Sequence, residues 1–160
     1  MRGGALPPAI LAASLGLALA YVPGKIRAPA IGLFGVSAMA LAFAPVAEWL
    51  IEYVFLAAWA SVVVACASVH LPGGLRMKPT AVFAVVSGAL AGALVALAGT
   101  PSDLAIALPC ALVVIPAIWL VRSGRGIGVK IVSSWLIAIA LLSAALPLTP
   151  TPGYVPDHME

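Results

Sequence analysis

Charge is the scarcest thing in this chain. Lys and Arg number 8 and Asp and Glu 5 in 160 residues, or 8%, where a water-soluble domain carries roughly a quarter. So few charges cannot cover a chain that is 64% hydrophobic. The solvent for most of it must be lipid, and one compact membrane domain is the expected size class. Cysteine is scarce too. Cys66 and Cys110 both lie inside apolar runs, too few for a disulfide framework. In membrane-spanning helices they would sit about 12 Å apart in depth, beyond the ~7 Å that a disulfide allows between Cα atoms. Two free thiols are expected.

The polar groups that build catalytic centres are also sparse. Histidine occurs only as His70 and His158. Cys66 and His70, at i and i+4, could present two metal ligands from one helical face, but two ligands do not make a site. No metal or cofactor is expected. The Gly-rich stretch 122 to 128 lacks the GKS/T ending of a nucleotide-binding loop. Glu48 with Glu52 is a carboxylate pair without a histidine or cation on its side, His158 aside, and no nucleophile and base converge. The expectation is a non-enzymatic protein.

Six apolar runs remain, near 6 to 22, 29 to 45, 48 to 69, 80 to 98, 104 to 121 and 127 to 146, each bounded by Pro, Gly or charge. Open strands would leave backbone groups unpaired in lipid, so the runs are helices. The fold class is all-α: an integral membrane bundle of six transmembrane helices over residues 1 to 146. A Pro-rich tail, 147 to 160, follows, in which Pro147, Pro150, Pro152 and Pro156 stop a helix. The third run, from Glu48 to His70, is the longest without Pro or Gly and reaches roughly 34 Å. It has acids at one end and a histidine followed by bases at the other.

The connections alternate in charge, which orients the bundle. Lys25 and Arg27 follow the first run, Arg76 and Lys78 the third, and Arg122, Arg125 and Lys130 the fifth; Glu48 and Asp103 edge the other connections. Only Arg2 breaks the pattern. By the positive-inside rule the basic connections are cytoplasmic, so both termini and the tail are non-cytoplasmic. This short-loop distribution, not one basic patch, argues against nucleic acid. The first run also resembles a secretory signal, with Arg2 before it and Ala18-Leu19-Ala20 as a cleavage site. Cleavage would put Lys25 and Arg27 on the translocated side, so the run is expected to be retained.

Particular positions carry the remaining expectations. The second and third runs, joined through Pro45, should form a tight antiparallel hairpin. In the fourth, Ala84, Ser87, Gly88, Ala91 and Gly92 share a small face, and the GxxxG spacing of Gly88 and Gly92 suits close helix packing within the bundle. Pro109 and Pro116 should bend the fifth. On the third run, Glu48, Glu52, Trp59, Cys66 and His70 fall in one 40° sector, with Ala57, Ser61, Val64 and Ser68 opposite. That stripe could line a path or binding groove; the plainer alternative is solvated ends and a packed middle, which is preferred. Arg122, Arg125 and Lys130 could hold a phosphate or lipid headgroup, or simply form a basic connection.

The expected role is an integral subunit of a larger assembly in a bacterial-type inner membrane, with the bilayer and other membrane subunits or further copies as partners. The alternative is a small-solute permease or channel acting as a homo-oligomer, its two three-helix halves inverted in the membrane. The preference rests on the central thirds of the runs, which hold no Asp, Glu, Lys, Arg or His. Coupled carriers usually need one there.

Overall fold

The computed structural model describes residues 4–71 and 77–146. Its regular elements are all helical. They are α1 (Leu6–Leu19), α2 (Gly24–Ala42), α3 (Ile51–Ser68), α4 (Met77–Ala98), α5 (Pro101–Ala107), α6 (Val114–Arg122) and α7 (Ile127–Ala145). A 3-10 turn, Glu48–Leu50, leads into α3, and a 3-10 segment, Leu108–Val113, joins α5 to α6. The Pro-rich tail lies outside the described residues.

The helix of the first run occupies the centre. α1 has 14 residues, about 21 Å of rise, yet Leu11, Ala12, Leu15, Ala18 and Leu19 are almost wholly buried. α3, α4, α7 and the α5–α6 span surround it, and α2 packs on the outside of α4. The five other spans, including Glu48–Ser68 and Pro101–Arg122, are each 19 to 22 residues and apolar enough to cross a membrane. α1 meets α5 near one end of the bundle, and the Tyr21 hydroxyl just beyond it meets Gly126 at the other. It therefore runs with its neighbours from end to end.

Large apolar side chains face outward on every surrounding span, among them Val36, Val64, Val82, Ile115 and Leu142. A soluble monomer rarely presents so continuous an apolar surface. Trp49 and Tyr53 are exposed near the acidic end and Trp119 near Arg122, the two levels where aromatic side chains anchor membrane helices. The architecture is that of a helical membrane bundle.

Three local expectations need correction. The second run begins at Gly24, so Lys25 and Arg27 stand in the first turns of α2 and Pro29 lies inside the helix. α2 does not form a tight hairpin with α3. The chain from Ala44 to Ala47 has no helix, and α2 turns to α4, which it follows in parallel from Phe34 beside Gly88 to Ala38 beside Gly92. The small residues of α4 allow the backbones closer than the bulky start of α3 could. On α3, Ala57 and Val64 are exposed while Ser61 and Ser68 are buried. The side that packs is centred between the two stripes, on Ala58, Val62, Ala65 and Val69, an i, i+4, i+7, i+11 pattern.

The fifth span is overwound where the bend was expected. Pro109 and Pro116 each remove an amide donor, and the chain between Leu108 and Val113 tightens to 3-10 geometry. That segment rests on α1 at Gly16, where an added Cβ would lie 2.6 Å from the Ala111 carbonyl oxygen and 2.8 Å from Val113 Cγ1. α1 thus covers the Ala111 and Val114 face of this segment, while Pro109 and Pro116 are exposed on the other side.

Candidate functional site

Among the described residues, the ionisable groups other than the thiols gather at the two ends. Lys25, Arg27, His70, Arg122, Arg125 and Lys130 stand at or beside helix ends on one side, and Glu48, Glu52 and Asp103 on the other. Between them, the buried polar residues are Ser14, Ser61, Ser68, Thr80, Ser87 and Ser133. Three of these serines return their hydroxyls to carbonyls of their own helix: Ser14 to Leu11, Ser68 to Ala65 and Ser133 to Val129. Ser61 and Ser87 pair across α3 and α4 at 2.8 Å. A hydroxyl in hydrocarbon must find a partner of this kind.

The α3 stripe is divided by packing. Glu48, Glu52 and His70 are exposed, whereas Trp59 is 4% exposed and Cys66 0%. Trp59 lies edge-on to Phe55, with ring centroids 5.9 Å apart, and both Trp59 and Cys66 belong to the main apolar core. No open path joins the two ends along these five residues. The Trp59 indole N–H has no hydrogen-bond partner among the described residues. Cys66 and Cys110 are both free thiols. No group of three His, Cys, Asp or Glu residues suited to a metal occurs among the described residues.

At the basic end, side chains also close the backbone. The Arg27 guanidinium donates to the Leu19 carbonyl at 3.1 Å, which also accepts from the Val22 amide, and to the Ala20 carbonyl at 3.2 Å, adding donors where α1 ends. Sequence reasoning saw Arg27 only as an orientation signal. Its eight-residue distance from Leu19 gave no local capping cue. The Tyr21 hydroxyl donates to the Gly126 carbonyl at 3.2 Å, tying the first connection to the last. Burial pushes the Tyr21 phenol above its ordinary range, so it remains a neutral donor at physiological pH. His70 Nε2 lies 3.5 Å from the Ser134 hydroxyl, which donates to the Lys130 carbonyl.

The loop around Arg125 offers fewer anion donors than its sequence suggests. Gly124, at φ 77°, closes α6: its amide donates to Val121 and the Arg125 amide to Leu120, the two bonds of a Schellman ending. The Gly128 amide is taken by Arg125. Exposed Arg122, Arg125 and Lys130 remain as cations, but three of the loop amides serve helix ends and turns. At the opposite end, the Asp103 carboxylate accepts from the Thr100 amide at 2.8 Å and its hydroxyl at 3.0 Å. This acid caps the start of α5.

Gly88 and Gly92 both lie in the α2–α4 seam. A Cβ at Gly88 would collide with the Phe34 carbonyl, and one at Gly92 with that of Ala38. Gly16, at the corresponding contact of α1 with the fifth span, went unnoticed in the sequence because it has no second glycine at GxxxG spacing, although Ala12 and Ala20 stand four residues to either side.

This arrangement defines the class: a multi-pass helical membrane protein with a serine-bearing apolar interior and opposite charges at its two ends. The chain matches no protein-family model, no curated protein and no solved structure.

Proposed function

We propose that this protein is a non-enzymatic, integral subunit of a larger assembly in a bacterial-type inner membrane. The observation supporting this reading is the closed middle of the bundle. Trp59 and Cys66 are packed between exposed charged ends, and the Ser61–Ser87 pair satisfies its own hydroxyls. Ion-coupled transport draws on an ionisable group near mid-depth; here those groups lie at the interfaces. A bundle of this kind contributes surfaces to its neighbours.

The test is purification of the full chain from its own membrane in mild detergent. The expected result is a set of membrane subunits in fixed proportion, with loss of this chain from cells in which those subunits are deleted. Solute flux in liposomes containing this chain alone, reduced by Glu52→Ala or Trp59→Ala, would overturn the proposal in favour of a permease.

A further inference from the structure

The two halves of the chain correspond to one another upside down. α1 and α3 run from the acidic end to the basic end and α2 returns; α4 and α7 run from the basic end and the fifth span, Pro101–Arg122, returns. In each half the first helix turns a glycine to the second span of the other half. Gly16, the eleventh residue of α1, approaches Ala111, the eleventh of the fifth span; Gly88, the twelfth residue of α4, approaches Phe34, the eleventh of α2. A serine stands just before each glycine, Ser14 in α1 and Ser87 in α4, and proline lies inside each second span, Pro29 in α2 and Pro109 and Pro116 in the fifth. The two first helices, α1 and α4, pack on each other, as do the two third helices, α3 and α7.

The third helices also break the correspondence. α3 packs firmly on both α1 and α4, whereas α7 has only a light contact with α1 and no substantial one with α4 among the described residues. The seams between first helices and second spans set backbone against backbone at Gly16, Gly88 and Gly92. Across α3 and α4 the hydrogen bond joins side chains, Ser61 and Ser87. α3 also carries the Trp59 indole N–H, buried without a hydrogen-bond partner among the described residues, a cost of its present seating. Packed interfaces switch between discrete arrangements, and inverted repeats do so by rocking one group of helices against another.

We propose that α3 and α7 rock as a pair against the four-span body of α1, α2, α4 and the fifth span. In the arrangement described, α3 is seated on α1 and α4; in its counterpart α7 is seated there and α3 is withdrawn. Each arrangement keeps one third helix over the middle, so the bundle stays closed in both. The motion belongs to this chain itself and goes beyond its place in an assembly.

The experiment is pulsed electron spin resonance on the full chain in lipid nanodiscs, with Cys66→Ala and Cys110→Ala and spin labels at pairs of exposed positions. Val36 on α2, Val64 on α3, Ile115 on α6 and Leu142 on α7 are such positions. Val36 with Val64 and Val36 with Leu142 should each give two distances, in the same proportion, and Val36 with Ile115, within the body, one. Ser87→Ala removes the bond that seats α3. It should raise the ratio of the second arrangement to the first about threefold, the usual worth of one hydrogen bond between membrane helices. If a labelled variant does not fold, the exposed Met39, Ala67 and Ile139 take the places of Val36, Val64 and Leu142. A single distance for α3 or for α7, unequal proportions for the two, two distances within the body, or an unchanged ratio in Ser87→Ala would overturn the proposal.

Discussion

Gly92 shows how much one missing methyl group can decide. Its Cα faces the Ala38 carbonyl across the α2–α4 seam, and the obstacle to a side chain there is backbone, which cannot rotate aside. Gly92→Ala should therefore cost about 1–3 kcal/mol, the usual penalty for forcing extra volume into a packed contact. Gly32→Ala on α2 is the matched control, because a Cβ there meets nothing within 4 Å and alanine is the better helix former. Thermal melts of the two variants in one detergent should show a lowered transition for the first and an unchanged or raised one for the second. Equal behaviour would mean that the seam is looser than the close approach of its backbones indicates. The small residues of α4 were legible in the sequence because they recur at helical spacing. For Gly16 the spacing with Ala12 and Ala20 marked only a small face; its partner is a 3-10 segment nearly a hundred residues away, which the spacing does not name.

At the scale of elements, α1 needs its neighbours more than they need its length. With 14 residues it would be marginal as an isolated helix, but it is enclosed by four spans and closed at its C-terminus by Arg27 from the following helix. Arg27→Ala leaves the Leu19 and Ala20 carbonyls without these donors. The expected loss is about 1–3 kcal/mol, as for hydrogen bonds to a charged group, with faster hydrogen exchange concentrated at the end of α1. Arg27→Lys keeps the charge but not the planar fork and should recover only part of the protection. A uniform change in exchange across all helices would argue that Arg27 acts on the whole bundle, not on this junction. The fifth span teaches a related lesson. Pro109 and Pro116 announced that the α-helix would fail between them, but whether the altered backbone would face a channel or a neighbour depended on where α1 lay.

For the whole molecule, the separation of charge predicts a topology. Arg27 and Tyr21 join the first connection to the same end of the bundle as His70 and Arg125, so a single orientation applies to all the basic connections described. A reporter fused after Gly74 should remain in the cytoplasm, and export of that fusion would reverse the orientation. The two three-helix halves do not pack alike: α1 is enclosed by the bundle, whereas α4 belongs to the surrounding ring and carries α2 on its outside. Equal helix number does not by itself give equal roles.

What the sequence determined alone was the solvent and the element type. Its few charges fall at intervals that leave six apolar runs, and lipid forces such runs to satisfy their own backbones as helices. The division of charge between alternate connections came with it. Only the tertiary structure decided that the first run would be innermost, that α2 would choose α4 over its neighbour in sequence, and that Trp59 in the middle of α3 and Cys66 near its end would both be packed away. The physical reason is that a membrane helix is apolar all round, so hydrophobicity cannot say which side meets protein and which meets lipid. That choice falls to close packing between backbones at Gly16, Gly88 and Gly92, where shape complementarity exists only once both partners are in place.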